Sequence, residues 1–238
     1  MPTGDAAGMT SFSSLLKEVR ACTICKDHLP LGPRPVVQLH PTSRVLIAGQ
    51  APGNKVHRSG IPFDDASGDR LREWLGVTRD EFYDPRQFAI LPMGFCFPGT
   101  GRSGDLPPRP ECAVTWREPL LRQLRHREIT LVLGQYAQRY HFAEQGSSLT
   151  ERVRSWRTYW PRMVPLPHPS PRNIAWLRRN PWFEADLVPA LRNLIAEVLR
   201  ADRAVSEQSL RPLPLRDHPG SPPGPARGVG ACWPGENG

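Results

Sequence analysis

The sequence predicts an α/β fold built around a parallel sheet. Two observations carry that reading. Short, unbroken apolar runs recur along the chain, and helical stretches lie between them. Parallel strands are covered on both faces, so they read as continuous apolar runs rather than alternating ones. Strands that alternate with helices then pack as layers around one sheet.

Taken in order, residues 1–10 read as a disordered leader. Phe12, Leu15, Leu16 and Val19 mark a first helix, and Cys22 to Pro35 a loop rich in cysteine and proline. Arg44 to Ala48 is the first strand run and ends in glycine. Phe88 to Leu91 and Ile129 to Leu133 are two more, and Met163 to Leu166 is a weaker fourth. Helical stretches are expected at Ser67 to Leu75, Glu111 to Leu124 and Gln135 to Phe142. Two more follow the fourth strand, Pro171 to Arg179 and Trp182 to Leu199, where Leu187, Leu191, Leu194 and Val198 recur at helical spacing. From Arg211 to Gly238, 13 of 28 residues are Gly or Pro, which marks a disordered tail. The expected division is a leader at 1–10, one folded domain at 11–200 and a tail at 201–238.

The chain has 238 residues, enough for one sizeable core, and no run long enough for a membrane helix. Its first ten residues lack the apolar stretch of a secretory signal. It reads as a soluble, cytoplasmic monomer with no membrane contact, nucleoid-associated if bacterial. The formal net charge is +8, and only Lys17, Lys26 and Lys55 among the 31 cations are lysines. Arginine suits phosphates and flat rings, although GC-rich codons would produce the same bias. Location says more than total. Glu151 to Arg179 holds seven arginines and one acid, and with them Trp156, Tyr159, Trp160 and Trp176, aromatics that equally suit a core.

Cys22-Thr-Ile-Cys25 has the spacing that lets two thiolates grip one metal or cluster. Cys96 and Cys112 bracket a second loop-rich region, and Cys232 falls in the tail. Four thiolates suit zinc or an iron–sulfur cluster, and the count does not choose between them. A lone pair plus two buried small residues is the alternative. Gly49-Gln-Ala-Pro-Gly53 stands directly after the first strand, followed by Gly60-Ile-Pro-Phe63 and Ser67-Gly68. Glycines there let a backbone approach a ligand closely, or simply make a turn. The loop is neither a P-loop nor a dinucleotide fingerprint. After the fourth strand, Pro167-His-Pro-Ser-Pro-Arg-Asn173 places His168 in a stiffened loop. Ser170 or Asn173 could cap the next helix.

In this order the pieces resemble the uracil-DNA glycosylase superfamily, most closely its iron–sulfur branch, family 4. The matching motifs are Cys22/Cys25, GQAPG at 49–53, Gly60-Ile-Pro-Phe63, Cys96/Cys112 and His168-Pro-Ser170. The resemblance spans roughly residues 12–199. It implies a three-layer α/β/α sandwich with a central four-stranded parallel sheet. It also implies a [4Fe-4S] cluster on Cys22, Cys25, Cys96 and Cys112, structural because no redox step is needed. The implied partner is DNA containing a deaminated base, flipped out of the stack and excised at its N-glycosidic bond. His168 would hydrogen-bond the departing base and Gln50 would place the water. Gly49, Ala51, Pro52, Gly53, Phe63 and Ser170 would hold the base, with Phe63 stacking on it. Arg172, Arg178 and Arg179 would meet DNA phosphates.

Two residues depart from the family pattern. Its GEAPG glutamate is Gln50 here, which can orient a water but cannot take its proton. The asparagine four residues before the third cysteine, which reads the base edge, is Pro92 here. His57, Asp64 and Asp65 are nearby polar groups that could substitute, or could serve as surface or capping residues. The departures leave a second reading open, a repair protein of the same fold that binds DNA without this catalysis. A zinc-stabilised nucleic-acid binder of other ancestry is a third.

Overall fold

The computed structural model describes residues 11–102, 104–142 and 146–209. The expected leader, most of the tail and Cys232 lie outside them. Four parallel strands form the sheet: β1 (Val45–Ala48), β2 (Phe88–Ile90), β5 (Ile129–Leu133) and β6 (Met163–Leu166), in the order β2-β1-β5-β6. A two-stranded ribbon, β3 (Thr100–Gly101) with β4 (Gly104–Asp105), projects between β2 and β5 in sequence. Pro165, which cannot donate to a ladder, sits in the edge strand β6.

The alternation of side chains along the strands builds the three layers. On one face Val45, Ile47, Phe88, Ile90, Leu131 and Val164 pack against α3 (Ala66–Leu75) and α9 (Val188–Ser209). On the other, Leu46, Ala89 and Leu91 meet Leu15 and Val19 of α1 (Phe12–Arg20) and Leu120 of α5 (Glu118–Gln123). A third cluster joins Ala48 and Val132 to Ala137 of α6 (Gly134–His141). The expected α/β/α sandwich with its four-stranded parallel sheet is therefore the fold observed. No helix among the described residues is long and apolar enough to cross a membrane.

Several boundaries differ from those expected. The stretch at Glu111 to Leu124 is a π-helical turn, Ala113–Arg117, running into α5. Three short helices were not foreseen: α2 (Asn54–Ser59), α4 (Arg79–Tyr83) and α7 (Leu149–Arg154). The last two open with full capping boxes, Thr78 with Glu81 and Ser148 with Glu151. The stretch at Pro171 to Arg179 is a 3-10 turn, Pro171–Asn173, followed by α8 (Ile174–Arg179). The helix α9 runs to Ser209, past the expected tail boundary at 201.

Candidate active site

Because all four strands are parallel, their carboxyl ends meet on one edge of the sheet, where α/β folds collect ligands. Each strand contributes there. Gly49 and Gln50 follow β1, Pro92 follows β2, Gly134 and Gln135 follow β5, and His168 follows β6. They line one cleft of about 820 Å³, joined by Ala51, Pro52, Gly53, Phe63 and Ser170. The chain moves from β1 to one neighbour, β2, and later to the other, β5, so the cleft opens at the topological switch point.

His168 is held from several sides. The Ser170 backbone N–H donates to its Nδ1 at 3.2 Å, and Asn173 Nδ2 donates to its carbonyl at 2.7 Å. Arg70, from α3, reaches the carbonyls of Pro169 and Ser170 at 3.4 and 3.3 Å. Beneath the ring, Gly134 has φ 75°, and a Cβ there would stand 3.4 Å from His168 Cβ. Burial lowers the pKa of His168 from the ordinary histidine value, against smaller opposing effects of Asp65 and Asp105. The imidazole is therefore neutral at neutral pH. Since Nδ1 accepts a hydrogen bond, the single ring proton belongs on Nε2, which becomes a donor.

Phe63 adopts φ 54°, the left-handed region that side chains other than glycine rarely enter. Two glycines make its position possible. Its ring lies over Gly49, whose Cβ would stand 3.4 Å from the ring edge. Its carbonyl presses on Gly68, where a Cβ would come within 1.8 Å of the oxygen. Phe82 meets the ring edge-on at 6.1 Å between centroids.

Of the substitutes considered for the Gln50 position, the structure brings one into the cleft. Asp65 lines it but caps α3, its Oδ1 accepting from the N–H groups of Ser67 and Gly68 at 2.9 and 3.0 Å. Asp64 pairs instead with Arg79 at 2.8 Å, which lowers its pKa. His57 is buried beside Phe97 and outside the cleft lining. Sequence reasoning missed Asp105, Arg102, Gln135 and Tyr136, all of which line the cleft. The signal for the first two was the glycine pair Gly101 and Gly104, which marks a tight ribbon.

Behind the cleft floor lies a buried cation that was also missed. Arg117 Nη1 donates to the carbonyls of Leu91 and Pro92 at 2.8 and 2.9 Å. Its Nη2 meets His141 Nε2 at 2.6 Å. Burial pushes Arg117 down to about 10, and burial with the Arg117 charge pushes His141 down to about 3. A neutral His141 can accept a hydrogen bond from the guanidinium N–H.

Cys22, Cys25, Cys96 and Cys112 line a second, small cavity with Phe95 and Arg109. Trp116 Nε1 donates to Cys22 Sγ at 3.3 Å and the Phe95 N–H to Cys112 Sγ at 3.4 Å. Burial pushes the thiols of Cys96 and Cys112 up to about 11 and about 12, and the neighbouring cysteines add to both shifts. No three His, Cys, Asp or Glu side chains among the described residues meet closely enough to hold one metal ion. Arg34 ties this cavity to the C-terminal end of α2. Its backbone hydrogen-bonds Cys96, and its guanidinium donates to the Arg58 carbonyl and lies against Gly60.

The basic window divides. Arg178 and Arg179, on α8, are exposed, and Arg172 lines the cleft with its guanidinium against Gly104. Arg154 and Arg157 lie on the faces of Trp182 and Trp156. Arg152 is buried, stacks on Phe142 and donates to Gln138 Oε1 at 3.4 Å. The window's aromatics are packing residues: Trp156 is in the main core, Trp160 and Trp176 pack against it, and Tyr159 packs against the third cluster.

The family comparison matches this arrangement. The uracil DNA glycosylase superfamily model matches residues 37–192, from the segment before β1 into α9. A type-4 uracil-DNA glycosylase of Sulfurisphaera tokodaii is 28% identical over 162 residues, covering 64% of this chain and 68% of that protein. A match of this extent, over a sheet whose four strand ends build one cleft, places the chain in the uracil DNA glycosylase superfamily.

Proposed function

We propose that the protein is a DNA glycosylase that flips uracil or a related deaminated base out of the duplex and hydrolyses its N-glycosidic bond. One observation carries the reading. A neutral histidine, with Nε2–H as its donor, shares a cleft with an aromatic ring held in a strained backbone conformation. Backbone strain of this kind persists where surrounding structure enforces it and clusters at functional sites. The flipped base would stack on Phe63. As the bond breaks, negative charge gathers on the base oxygens, and the pre-aimed Nε2–H of His168 stabilises it. Ala51, Pro52 and Gly53 shape the cleft wall, Ser170 and Asn173 hold the histidine loop, and Gln50 positions water. Arg178 and Arg179, exposed on α8, and Arg172 at the cleft are suited to phosphate.

The four cysteines suit a [4Fe-4S] cluster. All four line one small cavity, and four thiolates are the donor set such a cluster takes. The cluster would supply a structural cross-link between the loop after α1 and the segment from Cys96 to Cys112.

The deciding experiment is single-turnover base release from duplexes carrying uracil, hypoxanthine or xanthine, read as abasic sites. His168→Ala should lower release by at least ten-fold, and losing one such donor elsewhere costs about 10²–10³. DNA affinity should change little. Gln50 and Pro92 favour the second reading, a DNA-binding protein of this fold without glycosylase activity. A parent protein that releases none of the three bases establishes that one.

A further inference from the structure

Resting on the glycosylase reading, we propose that Asp105 is the catalytic residue that takes the proton of the attacking water. Hydrolysis breaks the bond between C1′ and the base nitrogen, and the electron pair leaves with the base. The water oxygen bonds to C1′, its proton passes to a base on the protein, and the departed base anion is then protonated. Gln50 can hold that water but has no basic site for its proton.

Among the described residues two carboxylates line the cleft, Asp65 and Asp105. Asp65 is committed to the first turn of α3, where one oxygen already serves two backbone donors. Asp105 is not spent in that way. Its Oδ1 accepts the Thr100 hydroxyl across the ribbon at 3.3 Å. Its Oδ2 faces Gly53, 3.3 Å from where a Cβ would stand, so the carboxylate lies against the bare backbone of the loop that carries Gln50. The ribbon is held firmly for this task. The Leu106 N–H donates to the Gly99 carbonyl at 2.8 Å, and Arg172 from the histidine loop packs on Gly104. The segment runs between Cys96 and Cys112, both of which line the second cavity. Asp105 also stands near enough to His168 to act on its charge. Carboxylate, amide and imidazole thus share one cleft, the first from an element that the sequence motifs did not include.

The test uses the full chain with a uracil duplex under single turnover. The parent is measured first, so that loss of the glycosylase reading is seen by itself; a parent that releases no base overturns both. With an active parent, Asp105→Asn and Asp105→Ala should each release base about 10²-fold more slowly at unchanged DNA affinity. Formate should restore release in Asp105→Ala but not in Gln50→Ala, because it replaces a missing carboxylate and not a missing amide. Asp65→Ala should lower the melting temperature, because it removes the cap of α3. Release by Asp105→Asn within about threefold of the parent overturns the assignment. So does an Asp105→Ala protein that is slow, melts early and gains nothing from formate, which would make the residue a structural one.

Discussion

Replacing Gly68 by alanine separates a packing constraint from a helix preference. Gly68 lies in the first turn of α3, where alanine would ordinarily stabilise a helix by about 1 kcal/mol over glycine. Here the new Cβ would stand 1.8 Å from the Phe63 carbonyl oxygen and 2.8 Å from its carbon, closer than the 3.0 Å that real Cβ atoms respect. The offending atoms are backbone, so a rotamer change does not relieve them. Moving α3 away would sacrifice the Asp65 cap, worth about 1 kcal/mol. Moving Phe63 by more than an ångström would tilt its ring off Gly49 and away from Phe82. We therefore expect Gly68→Ala to lose about 2 kcal/mol or more, a fall of roughly 5 °C in melting temperature for a domain of this size. Base release should fall about 10²-fold, the usual consequence of misplacing a reacting group by an ångström. Calorimetry and single-turnover release read the two effects. A variant that melts at or above the parent and releases base equally fast would refute the claim that Gly68 holds Phe63 in place.

Three further outcomes follow from the surrounding structure. His141 binds its proton near pH 3 in the fold and near 6.5 when unfolded, so stability should fall as pH drops through that window. The slope is at most about 1.4 kcal/mol per pH unit, and His141→Gln should flatten it; equal slopes from acid denaturation would refute this. Cys96→Ala should lower bound iron, absorbance near ~400 nm and stability together, while Cys232→Ala changes none of them. Full iron in Cys96→Ala would remove that residue from the cage. Charge reversal at Arg178 and Arg179 should weaken duplex binding and reduce its salt dependence by roughly one unit of slope for each phosphate that is no longer neutralised. An unchanged slope in a salt titration would place the DNA elsewhere.

The sheet was legible because its residues obey one rule at a time. A strand covered on both faces is apolar almost throughout: Val45–Ala48 is wholly so, and Ile129–Leu133 carries one polar residue, Thr130. The glycine and histidine loops were legible for the same local reason, since each follows such a strand. What stayed hidden depends on contacts distant in sequence. Arg152 belongs to the most basic stretch of the chain, yet it is buried against Gln138 and Phe142. Net charge in a window does not say which way each side chain turns. Arg117 is fully buried because β2 ends in carbonyls that face it, and no pattern around residue 117 announces them. The short helices α4 and α7 were readable, because Thr78 with Glu81 and Ser148 with Glu151 are capping-box pairs. Their brevity leaves too few turns for apolar periodicity to show.

On the glycosylase reading, the floor of the cleft bears on which base would be accepted. Pro92 has no amide side chain and no N–H, and its carbonyl is already engaged by Arg117 behind it. At this position the site therefore offers a bound base an apolar surface. A pocket that must hydrogen-bond its substrate rejects an analogue lacking the group by about 10⁴–10⁵, because its own polar groups are left unpaired. An apolar contact discriminates by only about 10–200-fold. Among the polar groups of the cleft, Gln50 and Gln135 are amides that can present either end to a base edge. The parent should then release uracil and hypoxanthine at single-turnover rates within about 10²-fold of each other. Pro92→Asn should widen that ratio in favour of one base, while the Arg117 hydrogen bonds to the two carbonyls preserve the course of the backbone. A parent that excludes hypoxanthine by about 10⁴ or more would show that the amides read the base edge without help from residue 92.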